Sequence, residues 1–204
     1  ETLAATVIKN LEKRQMEGYY CPTVEDAEKL AFSFLKDGQT VSFGGSMTLE
    51  ETGMLTALRH DPSIHLIDRS TAKTPDETKK MYHDALSSDV YFMSTNAITT
   101  GGELVNIDGT GNRVAALIYG PETVVILAGM NKIAANVDEA LSRVHNVATA
   151  QNCIRLDKKT PCAITGACAD CLSPDCICNQ VVITRRSGIK GRIKVLLIGE
   201  SFGY

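Results

Sequence analysis

Five of the seven cysteines fall in one short segment: Cys162, Cys168, Cys171, Cys176 and Cys178. Four thiolates on a single loop can converge tetrahedrally on Zn²⁺ or ligate an iron–sulfur cluster. The spacing is neither that of a standard zinc ribbon nor that of a bacterial ferredoxin. We therefore predict a metal or redox role, with reduced buried thiols or a disulfide formed on handling as the alternatives. Cys21 and Cys153 are interpreted as ordinary thiols.

A second candidate site is the polar stretch over residues 94–103 and the polar residues that follow it. Short polar side chains supply directional hydrogen bonds, and Arg113 could pair with a carboxylate or phosphate. Glu103 or Asp108 could transfer protons. The candidate ligand contacts are Asn96, Thr99, Asn106, Asn112 and Arg113. The alternative for residues 108–112 is a plain hairpin turn.

Two further groups follow predicted strands. Gly44, Gly45 and Ser46 stand between a strand and a helix, where free backbone N–H groups and the helix dipole favour an anion. The alternative is a tight turn whose glycines adopt positive φ. Asn131 and Lys132 follow the most apolar strand, and Lys132 could either neutralise an anionic ligand or face solvent.

The spacing of apolar residues predicts the elements that position these candidates. Helical spacing predicts an N-terminal helical pair over 1–17 and 24–37, with a break at 17–22. Further helices are predicted up to His60 with Thr48 as its cap, over 74–87, and from Asn136 onwards. Strands are predicted at 39–43, 64–67, 90–93, 123–127, 181–184 and 193–198, and an antiparallel hairpin joins 103–107 to 113–119.

Strands that alternate with helices indicate an α/β fold: a mainly parallel, helix-covered sheet with an antiparallel hairpin added. The ligand site of such a sheet lies at the carboxyl ends of its strands. We predict a single domain over 1–204. It comprises N-terminal helices (1–37), an α/β core (39–157), a cysteine-rich loop (158–180) and closing strands (181–204).

Composition excludes several classes of function. The 204 residues are 44% hydrophobic, which is enough for a sizeable core, and the net charge is −3 with scattered Lys and Arg. We therefore expect no nucleic-acid partner. No apolar run reaches the roughly 18 residues of a membrane span, and the amphipathic first helix does not resemble a signal peptide, so we predict a cytoplasmic protein without a membrane partner. The motifs of serine hydrolases, P-loop NTPases and nicotinamide enzymes are missing.

Four segments together resemble the LUD-domain, or lactate-utilisation protein, family. They are 41–53 (VSFGGSMTLEETG), 89–99 (DVYFMSTNAIT), 102–116 (GELVNIDGTGNRVAA) and 129–133 (GMNKI). The resemblance covers essentially the whole chain. Residues 160–171 (TPCAITGACADC) are similar to a stand-alone subgroup of that family.

The resemblance implies a fold like ribose-5-phosphate isomerase, glucosamine-phosphate deaminase and the coenzyme A transferases. It also implies a link with the oxidation of lactate to pyruvate alongside iron–sulfur partner proteins. In the similar subgroup the regular set of cysteines corresponds to Cys162, Cys168, Cys171 and Cys178 here, with Cys176 as an extra. These four are therefore the predicted ligands of an iron–sulfur cluster or zinc.

The leading hypothesis is a lactate-utilisation-type protein that binds a small anionic metabolite at the strand ends and carries a cysteine-bound metal or cluster. One alternative is a stand-alone enzyme acting on a sugar phosphate or an acyl-coenzyme A, with Glu103 as base or nucleophile. Another is a non-catalytic sensor or assembly subunit. The predicted partners are the anionic metabolite, iron–sulfur protein subunits and, for a homodimer, a second copy of the chain.

Overall fold

A computed structural model describes residues 1–204 as two sheets surrounded by helices. The larger sheet contains β1 (Glu17–Cys21), β2 (Thr40–Phe43), β3 (His65–Ile67), β4 (Val90–Met93), β7 (Thr123–Gly129) and β10 (Ile193–Ile198). Its order is β1-β10-β7-β4-β2-β3, and every neighbouring pair is parallel. The carboxyl ends of all six strands therefore lie at one edge of the sheet.

The smaller sheet contains β5 (Ala97–Thr99), β6 (Leu104–Asp108), β8 (Ile133–Ala134) and β9 (Gln180–Thr184). Its order is β8-β5-β6-β9. β6 is antiparallel to both β5 and β9, whereas β8 runs parallel to β5. Because β5 begins shortly after β4 ends, and β8 shortly after β7 ends, the smaller sheet continues the chain beyond the carboxyl edge of the larger one.

The helices are α1 (Thr2–Lys13), α2 (Val24–Phe32), α3 (Met47–Glu51), α4 (Met54–His60), α5 (Pro75–Ala85), α6 (Asn112–Ile118), α7 (Val137–Arg143), α8 (Ala150–Arg155) and α9 (Pro161–Thr165). A π-helical segment, Val144–Thr149, joins α7 to α8. No helix combines the length and the apolar character that crossing a bilayer requires.

The core lies on both faces of the larger sheet. Along β7, Val124 and Ile126 pack into one apolar cluster, whereas Val125 and Leu127 pack into the other. Side chains of a strand alternate between faces, so a strand covered on both sides needs an unbroken apolar run. This explains the uniformly apolar sequence of β7.

The predicted fold class, a mainly parallel sheet covered by helices, is confirmed. The predicted hairpin over 103–119 is wrong, because residues 112–118 form α6 rather than a returning strand. Gly111 has φ +89°, which turns the chain out of the sheet and into the helix. The hairpin-like antiparallel pairing lies instead between β5 and β6.

Two other local predictions also differ from the structure. Residues 17–21, predicted as a break between helices, form β1, whose partner is the distant β10. The helix predicted up to His60 is interrupted at Gly53, which has φ +73°. It is capped by Ser46, not Thr48, because the Ser46 side chain accepts a hydrogen bond from the backbone N–H of Leu49.

Candidate functional site

A cleft of about 560 Å³ lies at the carboxyl ends of several strands of the larger sheet. One wall is formed by residues that follow β2, β3, β4 and β7, together with the turn between β6 and α6. The opposite wall comes from α8 and residues 174–179 of the cysteine-rich segment. The cleft thus lies where the strand-end rule places the ligand site of a parallel sheet.

The structure brings together some of the predicted site residues and separates others. Those that line the cleft are Gly45, Ser46, Asn96, Asp108, Asn112, Arg113 and Lys132. Those that do not line it are Gly44, Thr99, Glu103, Asn106 and Asn131. Of the cysteines, only Cys176 lines the cleft.

Arg113 is held by a closed network of hydrogen bonds. Its Nη1 donates to Asn106 Oδ1 at 2.6 Å and to the Ser94 carbonyl at 3.2 Å. Its Nη2 donates to the Ile107 carbonyl at 2.6 Å and to Asn96 Oδ1 at 3.1 Å. Burial lowers the pKa of Arg113. Because four protein acceptors already occupy both terminal nitrogens, Arg113 fixes the cleft wall, and an anionic ligand would have to displace these bonds.

Asp108 caps the turn between β6 and α6. Its Oδ1 accepts hydrogen bonds from the backbone N–H groups of Thr110 and Gly111, at 3.1 and 2.8 Å, and its Oδ2 accepts one from Val114 at 3.3 Å. Arg113 Nε lies 3.6 Å from Oδ2. Since backbone donors occupy both oxygens, the geometry supports a structural role for Asp108 more than the proton transfer predicted from the sequence.

Glu103 lies outside the cleft, so the sequence-based placement of this candidate base needs correction. Its carboxylate forms a salt bridge with Arg14 and accepts a hydrogen bond from the Thr99 hydroxyl. Arg14 follows α1 and also donates to the Gly101 carbonyl at 2.6 Å. Glu103 and Thr99 therefore anchor the end of the N-terminal helix to the turn between β5 and β6.

Lys132 is a buried cation in the cleft. Its side chain follows β7, only 3% of the residue is exposed, and Nζ donates a hydrogen bond to Ser94 Oγ at 3.0 Å. No carboxylate forms a salt bridge with it. Desolvation, assisted by the charges of Arg143 and Arg113 and opposed by Glu51, lowers the pKa of Lys132 to about 7. A lysine of this kind can supply a neutral amine at physiological pH.

Three more cations line the cleft without an acidic partner: Arg69, Arg155 and Lys158. The Arg69 guanidinium lies 5.6 Å from the centre of the Tyr82 ring and makes no side-chain hydrogen bond. A Cβ at Gly45 would clash with Arg69 Nη2, so a larger residue there would displace the end of this arginine side chain. Sequence reasoning missed Arg69, although it follows β3 and the strand-end rule could have identified it.

Comparison with known proteins identifies the family to which this chain belongs. The family model described as the LUD domain matches residues 4–198. The chain belongs to the LUD-domain family. No curated protein sequence matches it. The crystal structure of a DUF162 family protein from Deinococcus radiodurans is similar to this LUD domain with a TM-score of 0.54 and 10% identity, over 97% of each chain. That likeness shows a shared fold.

Weaker likenesses cover about half of this LUD domain. Ribose 5-phosphate isomerase A from Methanocaldococcus jannaschii has 19% identity and a TM-score of 0.34, over 55% of this chain and 54% of that one. The delta subunit of eIF2B from Chaetomium thermophilum has 20% identity and a TM-score of 0.36, over 54% and 48%.

The glycine turn after β2 is not an open anion seat in this LUD domain. The helix that follows has only five residues, and the Ser46 side chain already caps its first turn at 3.3 Å from Leu49 N. Gly44 instead leaves room for the Arg113 side chain and its hydrogen bonds. A Cβ at this position would lie 3.1 Å from both Arg113 Cδ and the Tyr91 hydroxyl. Gly44 and Gly45 thus accommodate two arginines of the LUD domain.

Asn131 and Asn106, both predicted to contact a ligand, support the cleft from outside. Asn131 Nδ2 donates to the Gly203 carbonyl at 3.0 Å, and its Oδ1 accepts from Phe202 N at 3.2 Å. This pair of bonds clamps residues 202–203 beside Lys132. Asn106 is completely buried and accepts from Arg113 and from the backbone of Asn96.

The cysteines of the LUD domain are all free thiols in different surroundings. Cys162 is buried, with Sγ 3.2 Å from the Thr160 hydroxyl. Cys168 Sγ lies 3.6 Å from His145 Nδ1. Burial, together with the neighbouring Cys176, raises the pKa of the Cys178 thiol to about 12.

The predicted metal ligands Cys162, Cys168, Cys171 and Cys178 do not fit a metal ion as the structure arranges them. No three His, Cys, Asp or Glu side chains form a group that could hold one. Metal binding therefore stays a prediction from the sequence.

Metal analysis decides this prediction. If the four cysteines keep the arrangement described, the anaerobically purified LUD domain will be colourless and contain far less than one zinc or iron per chain. Visible absorption and elemental analysis measure both quantities, with a Cys168→Ser, Cys171→Ser variant as the control. A stoichiometric metal that this variant loses would show that the loop rearranges around it.

Proposed function

We propose that this LUD domain binds a small anionic metabolite in the cleft at the strand ends, as a component of lactate utilisation. The observation that carries the proposal is the set of four cations in the cleft without an acidic partner: Arg69, Lys132, Arg155 and Lys158. Unpaired cations gathered in one concave site create a positive potential, which attracts an anion.

The burial of Lys132 is the strongest part of this argument. A charged ammonium removed from water costs several kcal/mol unless an opposite charge compensates it. Ser94 supplies one neutral hydrogen bond, and Arg113 and Arg143 add repulsion. A bound carboxylate or phosphate would supply the missing opposite charge, so the charge pattern supports an anionic ligand over a neutral one.

The size and polarity of the cleft support a small metabolite. Its volume of about 560 Å³ falls within the range of roughly 300–1,000 Å³ typical of small-molecule sites. Ser94, Thr95 and Thr149 line it with hydroxyl groups, and Asn112 and Asn152 add amides. These groups could bind the hydroxyl or carbonyl oxygen of a hydroxy acid or an oxo acid.

The enzyme alternative that uses Glu103 as base or nucleophile is not favoured by this geometry, because Arg14 and Thr99 occupy that carboxylate outside the cleft. Glu50 lines the cleft, is exposed and makes no salt bridge. If the site transfers protons, Glu50 is therefore the better acidic candidate.

Replacing Arg69 with glutamine tests the proposed function. Charge-assisted hydrogen bonds contribute about 1.5–3 kcal/mol, so Arg69→Gln is expected to weaken binding of the best anionic ligand by about 10-fold to 100-fold. Calorimetric titration with L-lactate, pyruvate, ribose 5-phosphate and acetyl-coenzyme A measures the affinity. Arg186→Gln, which removes an exposed arginine outside the cleft, is the matched control.

If Arg69→Gln and Arg186→Gln bind the anion with the same affinity, the anion binds at a site that does not include Arg69. Absence of binding for every probe at millimolar concentration would overturn the proposal. Tighter binding of ribose 5-phosphate or acetyl-coenzyme A than of either small acid would still support an anion site in the cleft. It would, however, indicate a reaction on sugar phosphates or acyl groups in place of lactate utilisation.

A further inference from the structure

We propose that Lys132 forms an imine with its ligand, so that the substrate class of the cleft is a small carbonyl compound carrying an anionic group. The proposal rests on the proposed function, because it takes the anionic ligand as given and assigns its reactive group. Oxo acids and ketone phosphates share this chemistry, and the experiment below distinguishes them.

The position of Lys132 separates it from a structural lysine. Lys194, which is only partly buried, has a carboxylate partner in Glu17 at 2.5 Å. Lys132 Nζ meets only the Ser94 hydroxyl, yet the residue lines an open cleft and is 3% exposed. The amine thus lies at the cleft, held by the Ser94 hydroxyl.

The surroundings keep a useful fraction of this amine neutral. Desolvation lowers the pKa of Lys132 to about 7, assisted by Arg143 on α7 and Arg113 on α6 and opposed by Glu51 on α3. Only the neutral amine has the lone pair that attacks a carbonyl carbon. Desolvation and neighbouring cations are the two established ways of activating a lysine for this attack.

The reaction is balanced without any oxidant or reductant. The Nζ lone pair forms a bond to the carbonyl carbon, the C=O π electrons move to oxygen, and a proton from nitrogen reaches that oxygen to give a carbinolamine. Loss of the hydroxyl group with one more proton releases a water molecule and leaves the imine. Ser94 Oγ, 3.0 Å from Nζ and 3.3 Å from Thr48 Oγ1, is placed to relay the proton from nitrogen to oxygen.

The other cations of the cleft then have a separate task. Once the amine is bonded to the ligand, Arg69 and Lys158 remain to bind its carboxylate or phosphate. Neither is committed to a protein carboxylate. In this arrangement Lys132 binds the carbonyl group of the ligand, and the other cations bind its anionic group. These two tasks explain why one cleft carries several positive groups without acidic partners.

Reductive trapping tests the proposal. The full chain is incubated with sodium cyanoborohydride and either pyruvate or dihydroxyacetone phosphate, and the product is analysed by intact mass and peptide mapping. We expect one adduct per chain, located on Lys132 and formed at least about tenfold faster than on exposed lysines. Lys132→Arg should abolish it, Ser94→Ala should slow it, and Lys9→Arg, an exposed control on α1, should leave it unchanged.

The outcomes separate this inference from the proposed function. Binding of pyruvate or the ketone phosphate that depends on Arg69, with no adduct on Lys132, overturns the imine and leaves anion binding intact. Equal labelling of all lysines also overturns it. Trapping of only pyruvate or only the phosphate supports the imine and identifies the source of the anionic group. Circular dichroism of Lys132→Arg and Lys132→Met establishes that lost labelling does not reflect unfolding.

Discussion

Replacing Arg113 with lysine is expected to lower the free energy of unfolding by about 3 kcal/mol and the melting temperature by roughly 6–12 °C. Lysine keeps the positive charge but has one nitrogen in place of three. It cannot satisfy Asn96 Oδ1, Asn106 Oδ1 and the two carbonyl groups that Arg113 serves. The two asparagine oxygens each keep one backbone donor, whereas a buried acceptor left without any donor costs about 1–3 kcal/mol.

Denaturant unfolding monitored by circular dichroism measures this effect. Arg186→Lys makes the same exchange at an exposed position without hydrogen bonds and should change stability by less than about 0.5 kcal/mol. An Arg113→Lys variant as stable as the wild type would contradict the network. Loss of ligand affinity without loss of stability would instead indicate that Arg113 binds the ligand directly.

The strand-end rule explains why part of the cleft could be predicted from the sequence. Asn96 and Lys132 follow the parallel strands β4 and β7, and the structure places both at one cleft. Arg113 reaches the same cleft from α6, which follows β6 of the smaller sheet, so the rule does not account for this residue. The carboxyl ends of parallel strands share one edge whatever the order of the strands. The rule therefore works without knowledge of the topology, and only the ligand contacts themselves stay predictions.

Glu103 shows where this rule fails. It follows a short strand of the smaller sheet, whose antiparallel pairing alternates the direction of successive strands. In such a sheet the carboxyl ends of neighbouring strands lie at opposite edges, so polar residues that follow these strands do not meet at one site. The actual partner of Glu103 is Arg14, at a sequence separation of 89 residues, and local sequence patterns carry no signal for such a distant contact.

The cysteine-rich segment shows a second limit. Its spacing predicts which thiols could converge, but the backbone path of a segment with little regular structure depends on contacts with distant elements. Here Cys168 meets His145 on the π-helical segment, and residues 174–179 form a wall of the cleft. Likewise, β1 forms because its backbone pairs with the distant strand β10. The local spacing of apolar residues contains no information about that pairing.

Replacing Lys132 with methionine is expected to stabilise the protein while removing its reactive amine. Methionine fills a similar volume without a charge. The folded-state pKa of about 7 lies below the ordinary value of 10.5, so the folded protein disfavours the ammonium by at most about 5 kcal/mol. We expect Lys132→Met to raise the free energy of unfolding by about 2–4 kcal/mol at pH 6, a gain in stability typical of a functional residue removed from an unfavourable environment.

The pH dependence gives this prediction its sign. Between about pH 7 and 10.5 the unfolded chain binds a proton on Lys132 that the folded chain does not, so wild-type stability from this group rises with pH across that window. The advantage of Lys132→Met should therefore be greatest below pH 7 and fall steadily toward pH 10.5. Denaturant titrations of both proteins at several pH values measure the difference, with Lys9→Met as the exposed control. The prediction is contradicted if the difference in unfolding free energy stays constant across this pH window, or if the variant is less stable at every pH. Either result would show that the folded protein already supplies an opposite charge to the Lys132 ammonium. The argument that the ligand supplies this charge would then have no basis.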